Sequence, residues 1–379
     1  MIYFDSMAST SLDPKVAQCM RACAEDAFAN PSAPHPLGQQ AHALIDRAAT
    51  RLSDVIHCDP TRIYWTSGAT EANNWAIWTA QHYARQGKHV VTMATEHVSV
   101  LAPCQHLQSQ GFRVTYLKPE ANGVLSLDKL KSALCPDTVL VSIMMVNNET
   151  GVVQPVEEIT SVVHQHGALM HVDAVQAPGK VPLDVRAIDA DMLTLSAHKL
   201  HGPKGVGALV ASDRVHIKPM IMGGSQQGGQ RGGTLATPLI VGMAEAFVLM
   251  QASEQTNLKH MIQLRDRLWS GIQDLPGLLL NGDFNHQVPH CINLCFAHID
   301  GRALLHSLKG CVLTQASACL GESIQPSHVL LAMGRSATQA SRSIRIGLDR
   351  QHSKKDIDQL IDSLRSSVLR LDQMAVKDR

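Results

Sequence analysis

The stretch 191-DMLTLSAHKLHGPKGVGAL-209 decides how the rest of the sequence is read. Its first half, DMLTLSA, is a short apolar run without a helical polar face, which predicts a buried strand. The run ends in Ser196, His198 and Lys199, and then in a turn punctuated by Gly202, Pro203, Gly205 and Gly207. A lysine just past a buried strand is unusual, because most lysines are solvated on surfaces, and an isolated one would be read that way. In an open α/β sheet, ligands bind outside the carboxyl ends of the strands. A partly desolvated lysine at that edge is a nucleophilic amine.

Similar runs recur on both sides, at 89–94, 113–117, 138–146, 168–174 and 206–212. Helical patterning fills 70–87, 98–110, 126–134 and 155–166, with Thr, Ser, Pro or Gly in cap positions. Strand and helix alternate, so a mostly parallel, doubly wound α/β sheet is expected. The segment 38–56 carries Ala41, Leu44, Ile45, Ala48, Leu52, Val55 and Ile56 at helical spacing, an amphipathic helix packed on something large. The glycine-rich 223-GGSQQGGQRGGT-234 has no large apolar side chain and cannot be core. A long helix over about 237–275 and strands near 291–297, 311–316 and 342–348 then predict a smaller α+β domain.

A chain of 379 residues has room for one large and one small domain. Lys plus Arg and Asp plus Glu both count 33, which leaves no net charge to drive binding to nucleic acid or an anionic membrane. No apolar stretch is long enough to span a bilayer, and the start, Met1-Ile2-Tyr3-Phe4-Asp5, lacks a basic segment followed by an apolar run. The nine cysteines are odd in number and irregularly spaced, as expected of free thiols in a reducing, cytoplasmic compartment. The pairs Cys19/Cys23 and Cys291/Cys295 lack partners at zinc spacing, so no metal site is expected.

Two features raise Lys199 above a surface lysine. Asp173 ends the strand in 168-ALMHVDAVQ-176, with Gln176 close behind, and a carboxylate there can keep a pyridine nitrogen protonated. In 65-WTSGATEANN-74 a Gly-containing turn opens a helix, where Gly68, Ala69 and Thr70 can offer N–H groups and a hydroxyl to a phosphate. Either feature alone has an ordinary reading, a capping aspartate or a common helix start. Together, a phosphate cradle, a partner for a ring nitrogen and an amine describe what pyridoxal 5'-phosphate needs. His97, in 95-TEHVS-99, follows a strand and could stack on the ring or shuttle a proton; Asn148, in 146-VNNETG-151, could bond the ring hydroxyl or simply shape its turn.

These segments, with 29-ANPSAPHPLG-38, 231-RGGT-234, 317-SAC-319 and 343-SIRIG-347, resemble in order the motifs of the NifS/IscS family of cysteine desulfurases, nearly end to end. The resemblance implies a fold-type-I pyridoxal-phosphate enzyme, a homodimer whose large domain has a seven-stranded sheet. It implies a large domain over 12–255, and a small one over 1–11 and 256–379 that carries the loop of the catalytic cysteine. By the same resemblance Lys199 holds the cofactor, Asp173 pairs with its ring nitrogen and His97 stacks on the ring. Ala69, Thr70, Ser196 and His198 would hold the phosphate, joined by Thr234 from across the dimer interface. Gln176 and Asn148 would contact the ring oxygen, Asn148 also the substrate, and Arg345 would clamp the α-carboxylate of L-cysteine. Cys319 would take the sulfur as a persulfide and pass it to an acceptor protein or scaffold, as in iron–sulfur cluster assembly. A thiol in a polar loop can ionise, whereas Cys295, inside an apolar strand, should be inert.

The chain departs from the family at 314-TQASAC-319, at Gln227 and Gly228 where Glu and Arg are usual, at 5-DSMAST-10, and in a shorter tail after the last helix. Selenocysteine lysis or transamination on the same cofactor, and a sulfur-carrier or scaffold subunit that has lost catalysis, are the competing expectations. Product analysis separates the first pair; a visible absorption band argues against the last.

Overall fold

In the computed structural model, which describes residues 1–83, 87–315 and 325–377, Met192–Ser196 is a strand with every residue buried, left through a single 3-10 turn at Ala197–Lys199. From the amino end, β1 (Ile2–Tyr3), α1 (Pro14–Asp26) and α2 (Pro36–Ile56) precede β2 (Ile63–Thr66). Helix and strand then alternate through α3 (Ala69–Thr79), β3 (His89–Met93), α4 (Val98–Ser109), β4 (Arg113–Leu117), α5 (Leu127–Ala133), β5 (Thr138–Met144), α6 (Val156–Gln165) and β6 (Leu169–Asp173). The short α7 (Val185–Ile188) leads to β7 (Met192–Ser196), β8 (Gly207–Ala211) and the long α8 (Thr237–Ile272). The remainder holds β9 (Leu278–Leu280), β10 (Cys291–Phe296), α9 (Gly301–Ser307), β11 (Cys311–Val312), α10 (His328–Ala332), α11 (Ala337–Ser341), β12 (Ser343–Gly347) and α12 (Lys354–Lys377).

Seven strands form one sheet in the order β2-β8-β7-β6-β5-β3-β4. All pairs are parallel except those of β8, which runs antiparallel to both β7 and β2. The turn 197–206 between β7 and β8 is too short to hold a crossover helix, so β8 must return antiparallel. Its partner β2 then points the same way as β7. The carboxyl ends of β2, β3, β5, β6 and β7 therefore share one edge of the sheet, where the sequence places its chemistry.

Neighbouring residues of a strand serve opposite faces. Val91, Val141 and Leu193 join a layer of side chains with α1, α2, α6 and the first half of α8, whereas Val90, Leu140 and Met192 join one with α3 and α4, the two layers of a first core. Helices on both faces explain why these strands are buried throughout. A second core gathers the antiparallel sheet β12-β10-β9, Phe4, α9, α12 and Met261, Leu264, Leu268 and Ile272 of α8. Helix α8 thus packs into both cores with its two halves. The strand expected over 311–316 is shorter: β11 stops at Val312, and Thr314 makes a single bridge to Arg345.

Candidate active site

Thr66 ends β2, and Gly68 starts α3 with φ 153°, a conformation that favours glycine. Gly207 of β8 backs this turn: a Cβ there would stand 2.8 Å from the Gly68 carbonyl carbon, so the close approach needs the bare backbone. No side chain among the described residues caps α3, which leaves the positive end of an eleven-residue helix at a turn, Ser67–Thr70, that lines the main cavity. Glu71 braces the turn. Its carboxylate accepts from Ser67 N (2.8 Å) and, bidentately, from Arg231 Nε (2.9 Å) and Nη2 (3.0 Å) in the glycine-rich loop.

Asp173 ends β6 and is 6 % exposed. Its Oδ2 accepts from Asn73 Nδ2 (2.8 Å) and its Oδ1 from Val175 N (3.0 Å). Asn73 Nδ2 also donates to Ser99 Oγ (2.8 Å), which stands 2.8 Å from His97 Nδ1. His97 is the N-cap of α4, and Ser99 N donates to the same Nδ1 (3.2 Å). Because Nδ1 accepts, the neutral ring carries its proton on Nε2. Burial pushes the His97 imidazole below its ordinary range, with Asp173 acting against it. Behind this group Glu96 is wholly buried, and burial together with the Asp173 charge raises its pKa well above the usual range, which favours the neutral acid.

Lys199 closes the 3-10 turn after β7 and donates from Nζ to the carbonyls of Ala8 (2.8 Å) and Met7 (3.1 Å). Gln176 Nε2 donates to Met7 O (2.9 Å), and His198 Nδ1 lies 3.2 Å from Ser9 Oγ. The amino-terminal segment is therefore a wall of the site, which the sequence reading did not foresee. Main-chain carbonyls do most of this work and leave no sequence signature. Burial, with Lys199 and Lys204 adding to it, pushes His198 down to about 4, so it is neutral at pH 7.

One cavity of about 570 Å³ is lined by Ala69, Thr70, His97, Asn148, Asp173, Gln176, Ser196, His198 and Lys199, the expected cofactor residues of this chain other than Thr234. Ser196 Oγ and Gln176 Oε1 are buried without a partner among the described residues, a cost that a ligand bound there would remove. With a carboxylate, an uncapped helix start and a lysine lining the same cavity, these residues fit pyridoxal phosphate. Three expected site residues are not among them. Thr234 is exposed in its loop, as a group meant for another subunit would be. Arg345 is 2 % exposed and bound to Asp5, so it does not line the cavity. Cys319 lies outside the described residues. Asn73, Ser99, Glu71 and Asp5 are the residues the sequence reading missed; Asn73 and Glu71 stood within the quoted 65–74 turn, and spacing did not distinguish them from helix surface. Burial raises the thiol of Cys295, and pushes that of Cys291 to about 12.

Comparison with known proteins agrees. The family model described as aminotransferase class-V matches residues 2–360. The cysteine desulfurase IscS of Vibrio atlanticus (strain LGP32) is 44% identical over 380 residues, covering 99% of this chain and 94% of that protein. Among solved structures, a NifS-like protein superposes with a TM-score of 0.91 at 34% identity, covering 96% of this chain and 98% of its own. SspA, solved in complex with cysteine, gives a TM-score of 0.81 at 37% identity over 92% of this chain and 99% of its own.

Proposed function

Because the chain belongs to the class-V aminotransferase family, among the cysteine desulfurases of the NifS/IscS kind, we propose that it converts L-cysteine to L-alanine and leaves the sulfur as a persulfide on Cys319. The observation that carries this reading is the convergence of Lys199, Asp173, His97 and the Ser67–Thr70 turn on one cavity. Pyridoxal phosphate, the cofactor of the family, supplies when bound an electron sink that makes the α-proton and the carbon–sulfur bond of an attached amino acid labile.

The residues divide the remaining work. Ala69, Thr70, Ser196 and His198 hold the phosphate, and the charge of Asp173 keeps a proton on the ring nitrogen. Lys199 would carry the cofactor, and its Nζ is the base that would take the α-proton of the substrate and later return one. His97, neutral and protonated at Nε2, would lie against the ring, and Arg345 with Asn148 would orient the α-carboxylate. The Cys319 thiol takes the sulfur atom: thiol and L-cysteine become persulfide and L-alanine, with atoms and electrons in balance. A sulfur-acceptor protein then relieves Cys319 of it.

We further read the two cores as a large domain over 12–255 and a small one over 1–11 and 256–379, and the protein as a cytoplasmic homodimer. Unbonded thiols at all eight described cysteines support a reducing compartment; no helix among the described residues is long and apolar enough to cross a membrane. The test is Lys199→Ala. The purified variant is expected to lose covalently held cofactor and to form no alanine or sulfide from L-cysteine, where the parent forms both. A variant that still forms alanine at the parental rate overturns the role of Lys199.

A further inference from the structure

Arg345 sits in the middle of β12, where Asn293 of β10 faces it across the ladder. Its Nη1 donates to the Asn148 carbonyl (3.0 Å), and its Nη2 to Asp5 Oδ1 (2.6 Å) and Thr314 Oγ1 (3.2 Å). Asp5 Oδ1 accepts a second bond, from Thr314 Oγ1 (2.9 Å). One carboxylate oxygen therefore joins the arginine to Thr314, five residues before Cys319 in sequence. The location of Asp5 does not depend on these contacts. Gly347 N donates to Phe4 O (2.7 Å) and Asp5 bridges to Gly347, so main-chain pairing lays Asp5 alongside β12.

A buried guanidinium is costly unless its charge is met, and the pair with Asp5 meets it. The pairing is incomplete: Arg345 Nε is buried without a partner among the described residues, a donor left for a ligand. Asn148, whose carbonyl holds Nη1, also lines the main cavity. Asp5, Arg345 and Asn148 thus form a continuous chain of contacts ending at the cavity edge.

We propose that Asp5 is a positioning residue for recognition of the substrate α-carboxylate: it holds the Arg345 guanidinium against Asn148, directly behind the cavity edge, from which Arg345 reaches a carboxylate that enters. The inference rests on the reading of Arg345 as the carboxylate clamp. Without the Asp5 charge, the guanidinium is free to turn toward other acceptors, and part of the binding energy of the carboxylate is spent on returning it. The amine of the substrate is read elsewhere, so the effect is confined to ligands that carry a carboxylate.

The experiment uses the holoenzyme with Asp5→Asn, Thr314→Val and Arg345→Lys. For Asp5→Asn the KM for L-cysteine is expected to rise about tenfold with kcat changed far less, which is about 1.4 kcal/mol of lost binding. Binding of L-alanine, followed through the visible absorption band of the bound cofactor, weakens in parallel, while binding of ethylamine, which is alanine without its carboxylate, does not. Thr314→Val shows a smaller change of the same kind, and carries the test if Asp5→Asn does not fold. Equal weakening of L-alanine and ethylamine, or parental KM and alanine binding in the Asp5 variant beside an impaired Arg345→Lys, overturns the role of Asp5 alone. Parental behaviour of Arg345→Lys overturns the clamp reading and the inference with it.

Discussion

Glu71 shows how single residues hold the phosphate turn in shape. Its side chain is 8 % exposed and that of Arg231 19 %. Burial works to raise its pKa, but hydrogen bonds from Arg231 and Ser67 and the guanidinium charge outweigh it and leave the carboxyl below its ordinary value. A carboxylate depressed in the folded state contributes stability above its unfolded pKa, and loses it as pH falls through the folded one. Glu71→Gln is therefore expected to cost about 1–2 kcal/mol at pH 7. In thermal melts the gap between variant and parent should close as pH is lowered below about 4; a gap that persists in acid would mean that packing, not charge, is what Glu71 provides. At this scale Lys199, Asp173 and His97 were legible because each follows a buried strand. Asp5 was not, since its partner Arg345 lies 340 residues away and the pairing exists only in the fold.

Elements differ in the same way. The strand expected over 113–117 is β4 to the residue, although β4 is an edge strand with Arg113 exposed; those over 89–94 and 206–212 differ from β3 and β8 only at their ends, and β3 and β8 are buried along their whole length, as strands covered on both faces are. Helix α1 escaped notice: only Val16 and Cys23 of its residues are buried, too few to set a period. Strand β2 is four residues long and was absorbed into the turn that follows it. The antiparallel return of β8 could be expected only from the length of the 197–206 connection. In the glycine-rich loop, Gln227 and Gly228 read as lost charges. In the fold, Gln227 takes φ 51° and its amide spans both main-chain groups of Trp65, accepting from N (2.6 Å) and donating to O (2.9 Å). It occupies the free side of β2, the edge strand of the sheet, as a neighbouring strand would. A glutamate could not make the second bond, having no N–H to give.

For the whole molecule, the loop that ends at Thr234 is tied to its own subunit twice, by Gln227 to β2 and by Arg231 to α3. Held there, exposed Thr234 is available to a second copy. If it completes the partner's phosphate site, Thr234→Ala weakens cofactor binding about tenfold, the value of one charge-assisted hydrogen bond. A mixed dimer of one Lys199→Ala chain and one Thr234→Ala chain should then regain parental affinity at its single lysine-bearing site, which receives threonine from the other chain. Persistently weak binding in that mixed dimer would show that Thr234 acts within its own chain.

The claim on which all of this converges is that the sulfur of L-cysteine leaves on Cys319. Mass spectrometry of the peptide carrying Cys319, after one turnover of the holoenzyme with L-cysteine and no acceptor, tests it most directly. One added sulfur atom on Cys319 is expected for each L-alanine formed. Alanine formed while Cys319 remains an unmodified thiol would contradict it.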